Sequence, residues 1–185
     1  MYTASWAAGR TYCDTRIHDM KTSYTYCPIC GKALSEKNID GKIRAACSSE
    51  GCSFVFWNNP VPVVAALVEH NGAVLLTRNK LWPEKMFGLV TGFLEGGETP
   101  ADGALREVKE ELGVEGEIAG LIGMYPFPEQ NQIIIAYHVR AHGTITAGDE
   151  IAEVKSIPPE KVRPWPFGTG LAVGDWLKRR AAAKG

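Results

Sequence analysis

The stretch GFLEGGETPADGALREVKEELGV, residues 92–114, decides how the rest of the chain is read. Thr99 is placed to cap a helix, Pro100 suits its first turn, and Asp102 supplies a weaker form of the reciprocal cap. Gly113 fits the position just past the C-terminal end. At about 100° per residue, Ala101, Ala104, Leu105, Val108 and Leu112 form one apolar face. Glu107, Glu110 and Glu111 share an arc of roughly 100° beside it. The apolar face is expected to dock on a sheet and hold the carboxylates still. Like charges three and four apart destabilise a helix by about 0.2–0.5 kcal/mol per pair. A bound Mg²⁺ or Mn²⁺ would reverse the sign of that repulsion, because these ions take oxygen ligands. A solvated acidic face is the commoner origin of a Glu-rich helix. The glycines, Glu98 and Arg106 fixed around this cluster weigh against it here.

The spacing is as specific as the composition. Gly92 is followed after five residues by Glu98, and after seven more by Arg106-Glu107. Val108, Glu110-Glu111, Gly113 and Val114 complete the run. On these residues the chain resembles the Nudix hydrolases, whose signature is G-x5-E-x7-R-E-U-x-E-E-x-G-U with U bulky and apolar; every specified position matches. The resemblance implies an α/β fold, a mixed β-sheet sandwiched between helices, with the signature as a loop and helix. It implies metal-assisted hydrolysis of a diphosphate in a nucleoside diphosphate joined to another group. Glu107, Glu110 and Glu111 would then be metal ligands, one of them acting as base, and Gly92 would lend its carbonyl. Glu98 and Arg106 would brace the loop by a salt bridge. The chemistry agrees: a diphosphate repels hydroxide, divalent ions neutralise it and acidify a bound water, and a nearby carboxylate takes the proton.

Upstream, Cys27-Pro28-Ile29-Cys30-Gly31 is followed by Cys47 and Cys52. Two cysteine pairs on a short polar segment suit a structural, tetrahedral Zn²⁺ with no position left open for catalysis. The four-residue gap in the second pair is wider than usual. A redox CxxC would account for the first pair but not the second. Cys13 is left over as a free thiol.

The chain of 185 residues accommodates one ordinary domain and a small module. Residues 1–22 show no clear period and read as an N-terminal extension; 23–57 form the zinc ribbon and 58–182 the Nudix domain. Val61–Glu69 and Ala73–Arg78 read as a hairpin across Asn71-Gly72. Residues 79–91 read as a loop. Ile118–Tyr125, Ile133–Ala141 and Glu150–Ser156 read as strands, and Gly168–Arg180 as a closing helix with Leu171, Trp176 and Leu177 on its core side. An apolar content of 45% suffices for a core, and a net charge of −1 provides no global field for nucleic acid or membrane. No stretch has the apolar length of a membrane span, and MYTASWAAGRTYCDTR lacks a signal-peptide core. Thiolates held by zinc fit a reducing cytoplasm.

A ribbon followed by a Nudix domain, with N-P-x-P-V-V at 59–64 and G-F-L-E at 92–95, is similar to the NADH pyrophosphatase group. That group carries the array S-Q-P-W-P-F-P-x-S after the signature helix. Here Ile122-Gly123-Met124-Tyr125-Pro126-Phe127-Pro128-Glu129-Gln130 stands in its place, matching only at Pro126-Phe127-Pro128, with Tyr125 for Trp. The resemblance implies Tyr125, Phe127 and Gln130 as substrate-contacting residues, the two rings as stacking surfaces. Pro164-Trp165-Pro166-Phe167 echoes the array at the wrong position and reads as a stiff loop packing its own aromatics. The group's additional metal-binding Glu falls nearest Glu150, with Glu153 next. His70, His138 and His142 read as polar-face residues. The implied activity is cleavage of an NADH/NAD-like dinucleotide to AMP and a mononucleotide, by a homodimer. FAD or ADP-ribose cleavage, removal of an NAD cap from RNA, and non-catalytic nucleotide sensing are the alternatives.

Overall fold

The computed structural model describes residues 24–183. The extension 1–22 and Cys13 lie outside the described residues. The chain divides between Asn59 and Pro60 into two compact units.

The first unit is built on an antiparallel hairpin, β1 (Leu34–Ile39) and β2 (Lys42–Cys47), paired from Leu34↔Cys47 to Ile39↔Lys42. Asp40 and Gly41 make its turn, both with left-handed φ (52° and 77°), the geometry that matches strand twist in a two-residue loop. Its buried apolar content is small: Ala45, Ala46, Cys27 and Cys47.

In the second unit, β3 (Val61–His70) turns through Asn71-Gly72 (φ 49° and 78°) into β4 (Ala73–Asn79). β4 faces β3 only from Leu75 to Ala73, so the first half of β3 is open to another strand. β5 (Val90–Phe93) takes that place, with Val63 opposite Phe93 and Ala66 opposite Val90. Gly92, expected in a loop, therefore stands in a strand. Helix α1 (Pro100–Leu112) follows, then β6 (Glu115–Phe127), β7 (Gln132–His142), β8 (Ile151–Ile157) and α2 (Gly170–Ala182). The sheet order is β6-β7-β3-β4-β8 with β5 on β3; β3 and β7 run parallel and the other pairs antiparallel. The expected mixed sheet flanked by helices is what the chain forms.

Alternation along β3 and β4 fills both faces of the sheet. Ala65, Leu67, Val74 and Leu76 join Ala172, Val173 and Trp176 of α2, while Ala66, Val68 and Leu75 join Val108 and Leu112 of α1. β6 begins two residues past the helix cap, earlier than expected, because Gly116, Gly120 and Gly123 blur its alternation. In α2 the expected core side needs one correction. Trp176 is buried and Leu177 half-buried, but Leu171 is exposed, and Ala172 and Val173 take the inward arc. Trp176 sets that arc, since Ala172 and Val173 lie four and three residues before it and share its face.

Two of the three histidines among the described residues are also more committed than expected. His70 is buried with Nε2 2.9 Å from the Gly143 carbonyl. His138 Nε2 lies 2.9 Å from Glu69 Oε2, and its ring meets Trp176 edge-on. Burial holds His138 below the usual value of 6.5, against the raising effect of Glu69. The unfolded chain thus binds this proton first as pH falls, so stability contributed by neutral His138 is complete above about pH 6.5 and lost below it. A His138→Gln variant should show a shallower fall in Tm between pH 7 and pH 5 than the unaltered protein. Parallel thermal melts at the two pH values check this, and equal slopes would refute it.

Candidate metal-binding acid site

Local chemistry places α1 as its sequence suggests. Thr99 Oγ1 accepts from the Asp102 N–H at 3.2 Å and donates to Asp102 Oδ2 at 2.6 Å. Gly113 (φ 67°) ends the helix, its N–H reaching the Lys109 carbonyl. Glu98 and Arg106 meet as a two-pronged pair, Nε to Oε2 at 3.1 Å and Nη2 to Oε1 at 2.9 Å. Glu98 also accepts from the Glu95 N–H at 2.8 Å, and Arg106 donates to the Phe93 carbonyl at 3.1 Å. Loop 93–98 is thereby tied to the helix. The Arg106 guanidinium, then the Glu95 amide, hold the Glu98 carboxyl below the usual carboxylate range. Gly103 makes room for it, since a Cβ there would stand 2.7 Å from Glu98 Oε1.

Arg106 does more than brace the loop. Its Nη1 also donates to Glu107 Oε1 at 2.7 Å and to Glu110 Oε2 at 3.1 Å. Glu107 is packed against the backbone of β5, where a Cβ on Gly92 would fall on its carboxylate. Burial raises the Glu107 carboxyl above its usual value despite Arg106. Gly92→Ala should therefore displace Glu107 rather than merely stiffen the strand. The expected result is a loss of Mn²⁺ affinity of at least about ten-fold, of the size seen when a metal-site support is removed. Calorimetric Mn²⁺ binding checks it, and unchanged affinity would show that Glu107 does not need this position.

Glu111 points into the sheet. Its Oε1 accepts from the Thr91 N–H at 3.4 Å, and the Thr77 side chain lies close enough to the same carboxylate to favour its charged form. Its Oε2 is buried without a protein partner. Burial pushes this carboxyl up to about 7, with Glu107 and Glu150 contributing. Residues 146–150 dock on the end of α1: Thr146 N–H donates to the Leu112 carbonyl at 2.8 Å, and Gly148 N–H to the Glu111 carbonyl at 2.9 Å. Gly148 lies so close to the Glu110 carbonyl that a side chain would not fit. Glu150, on this segment, takes an Asn79 amide at 3.3 Å and lies within electrostatic reach of Glu111. Glu153 instead pairs with Arg78 at 3.5 Å and Lys155 at 3.7 Å. Neither Thr77 nor the threefold reach of Arg106 follows from the spacing of the signature. The signal for Thr77 is a polar residue at an inward position of an apolar strand.

The acids are near but not drawn to one point. Among the described residues, the group whose ligand atoms all lie within 4.8 Å of one another is the cysteine set, not the carboxylates. Arg106 Nη1 draws Glu107 and Glu110 together, while Glu111 is held apart on the Thr91 amide. That suits Mg²⁺ or Mn²⁺, which completes its shell with waters and substrate phosphates. The buried, unpartnered Oε2 of Glu111 is the atom that a cation would satisfy.

The substrate-contacting set behaves differently. Tyr125 is 9% exposed, packs in the α2-side core, and donates its hydroxyl to Asp175 Oδ2 at 3.0 Å. Burial and then Asp175 push that phenol up to about 12. Its ring thus lies on the side of the sheet opposite α1. Phe127 is partly buried against the same core, and Gln130 is exposed on a short 3₁₀ turn, Pro128–Gln130. Sheet registers nonetheless put Tyr125, Ile134, Val63 and Phe93 in one row, so the array and the signature loop share one end of the sheet. Trp165 half-buries against the α2-side core and joins Tyr125 in lining a cavity of about 430 Å³.

The cysteines converge. Cys27 and Cys52 Sγ are 3.6 Å apart and Cys30 and Cys47 Sγ 3.5 Å apart, all four as free thiols. Four sulfurs at ~2.3 Å from a tetrahedral centre would stand about 3.8 Å apart, so the set fits Zn²⁺. The Ser49 N–H, then hydrogen bonds from Cys30 and Cys52 against the effect of burial, bring the Cys47 thiol down to about 6. The Phe54 N–H favours the Cys52 thiolate, but burial and three neighbouring thiols push it up to about 12. Zinc binding to such a set requires thiolate ligands and so releases protons.

Comparison with known proteins agrees with this geometry. The NUDIX domain family model matches residues 58–173. The NAD-capped RNA hydrolase NudC of Mycobacterium bovis is 33% identical over 120 residues, covering 62% of this chain and 36% of the mycobacterial protein. The human NAD-capped RNA hydrolase NUDT12 is 33% identical over 120 residues, covering 60% of this chain and 26% of its own. This chain spans well under half the length of these curated relatives. The crystal structure of a NUDIX hydrolase from Nitrosomonas europaea has the same fold, with a TM-score of 0.74 at 24% identity over 86% of this chain and 93% of that one. The matched stretch contains the whole acid site, from Thr77 to Glu150, and the chain belongs to the NUDIX domain family.

Proposed function

We propose that this protein is a metal-dependent pyrophosphohydrolase that cleaves the diphosphate of an NADH/NAD-like dinucleotide to AMP and a mononucleotide. The observation that carries the reading is the Glu111 carboxylate, buried beside Glu107 and Glu150 with Oε2 left unpartnered. A structural helix gains nothing from such a group. Glu107, Glu110, Glu111 and Glu150, with the Gly92 carbonyl, would hold Mg²⁺ or Mn²⁺. The bound ion would neutralise the diphosphate and acidify the attacking water. One of Glu107, Glu110 and Glu111 would take that water's proton. Arg106 and Glu98 keep the loop and helix in register, and Arg106 balances the charge of Glu107 and Glu110. Zn²⁺ on Cys27, Cys30, Cys47 and Cys52 would be structural, in a ribbon of residues 23–57 ahead of a hydrolase domain of residues 58–182.

The altered array bears on substrate choice. Tyr125 is 9% exposed with its hydroxyl held by Asp175, which leaves the half-buried Phe127 and Trp165 as the more accessible stacking surfaces. Among the described residues no helix is long and apolar enough to cross a membrane. A homodimer is expected from the resemblance, and a cytoplasmic setting from the zinc reading of the cysteines. The second reading is removal of an NAD cap from RNA, which the names of the relatives favour. Product analysis with Mg²⁺ or Mn²⁺ and equal NADH, NAD⁺, FAD, ADP-ribose and NAD-capped RNA tests both. AMP released fastest from NADH or NAD⁺ supports the first reading. Faster decapping of RNA supports the second, and faster cleavage of FAD or ADP-ribose moves the specificity to those substrates. No cleavage of any of them by folded, metal-loaded protein would favour nucleotide sensing.

A further inference from the structure

Thr77 is an anomaly of the core. In β4, Val74 and Leu76 face α2 and Leu75 faces α1, so Thr77 also faces α1. It is 2% exposed, and with His70 it makes up the buried polar or charged residues among those described. A valine would fill the same space without burying a hydroxyl. Its backbone is pinned on both sides: Val154 of β8 lies opposite, and Thr77 exchanges two hydrogen bonds with Gly88 at 2.9 and 3.0 Å. The Cβ is therefore fixed relative to the strand that carries Thr91.

The Glu111 carboxylate arrives at this point from α1. The contact from the Thr91 amide is long, at 3.4 Å, and Oε2 has no partner. We propose that Thr77 is a positioning residue: its hydroxyl donates to the Glu111 carboxylate and fixes its orientation, leaving the buried Oε2 free for a divalent cation. The inference rests on the reading of Glu111 as a metal-holding residue. The amide alone restrains one oxygen weakly; a second donor, on a β-branched side chain with restricted χ1, fixes the plane of the carboxylate. Such supports commonly carry a ten- to hundred-fold share of metal affinity.

The test uses Thr77→Val, Thr77→Ser and Glu111→Gln in the full chain, with Mn²⁺ binding read from the electron paramagnetic resonance of the free ion and folding from Tm in EDTA. Thr77→Val should weaken Mn²⁺ binding about ten-fold or more while remaining folded, and Thr77→Ser should bind within a few-fold of the unaltered protein. Unchanged binding by Thr77→Val, with Glu111→Gln weakened, would overturn the positioning role alone. Equal weakening by Thr77→Ser and Thr77→Val would also overturn it, by showing that the methyl group and not the hydroxyl matters. Unchanged binding by Glu111→Gln would overturn the metal reading of Glu111, and the role of Thr77 with it.

Discussion

Glu111→Gln should abolish metal-dependent turnover without weakening the fold. On the proposed function Glu111 holds the metal, and loss of a carboxylate in that role is expected to lower kcat by ~10²–10⁴-fold. The stability change should have the opposite sign to that of an ordinary buried substitution. Glu111 is buried with one unpartnered oxygen, and burial raises its pKa to about 7. Its folded pKa lies above the unfolded value, so the ionised form costs stability at alkaline pH and the cost disappears as pH falls. Glutamine keeps the shape and removes the charge. In EDTA at pH 8 the variant should melt at or above the unaltered protein, and the difference should shrink below pH 7. Steady-state kinetics with Mg²⁺ and thermal melts in EDTA measure the two halves. A variant that retains activity, or one that melts well below the unaltered protein, would contradict this account of the site.

Zinc removal should unfold the ribbon and spare the second unit. Among the described residues the first unit buries only Ala45 and Ala46 beside Cys27 and Cys47, far too little for a two-stranded sheet to stand alone. On the zinc reading, its stability comes from the four thiols and the ion they bind. Structural zinc contributes an apparent ~10–16 kcal/mol in small zinc modules at neutral pH, more than any apolar contact here supplies. The second unit has two apolar clusters of its own. On treatment with a strong chelator, amide hydrogen exchange should accelerate across residues 27–52 while β3, β7 and α1 remain protected. Zinc content should fall from one per chain. Continued protection of the ribbon in zinc-free protein would remove the metal assignment.

How much of this was legible beforehand depends on the range of the interaction concerned. Thr99, Pro100 and Gly113 fix the helix ends through contacts within a few residues, and they behave as read. The Glu98–Arg106 pair spans one loop and is likewise as read. Asn71-Gly72 fixes the hairpin because a two-residue turn needs positive φ at both positions. The cysteine set was legible because zinc geometry constrains spacing. Boundaries and faces set by neighbours were not. β5 exists because β4 leaves half of β3 uncovered, a fact of register between strands. Leu171 lost its inward place to Ala172 and Val173 for a reason found in the packing of Trp176. Tyr125 looked like an open ring beside two prolines, and the folded chain covers it and engages its hydroxyl with Asp175, fifty positions away.

By itself the sequence determined the family pattern, the α/β class, the acid cluster and the paired cysteines. Each is written in spacings short enough for local chemistry to enforce. Tertiary structure alone decided that Thr77 and Thr91 meet Glu111, that Gly148 seats the Glu150 segment against the end of α1, and that Arg106 touches three carboxylates. Most of those contacts join segments far apart in the chain, and their register is fixed only when the sheet closes. The carboxylate chemistry is thus announced locally, while its orientation and proton affinity are properties of the packed core.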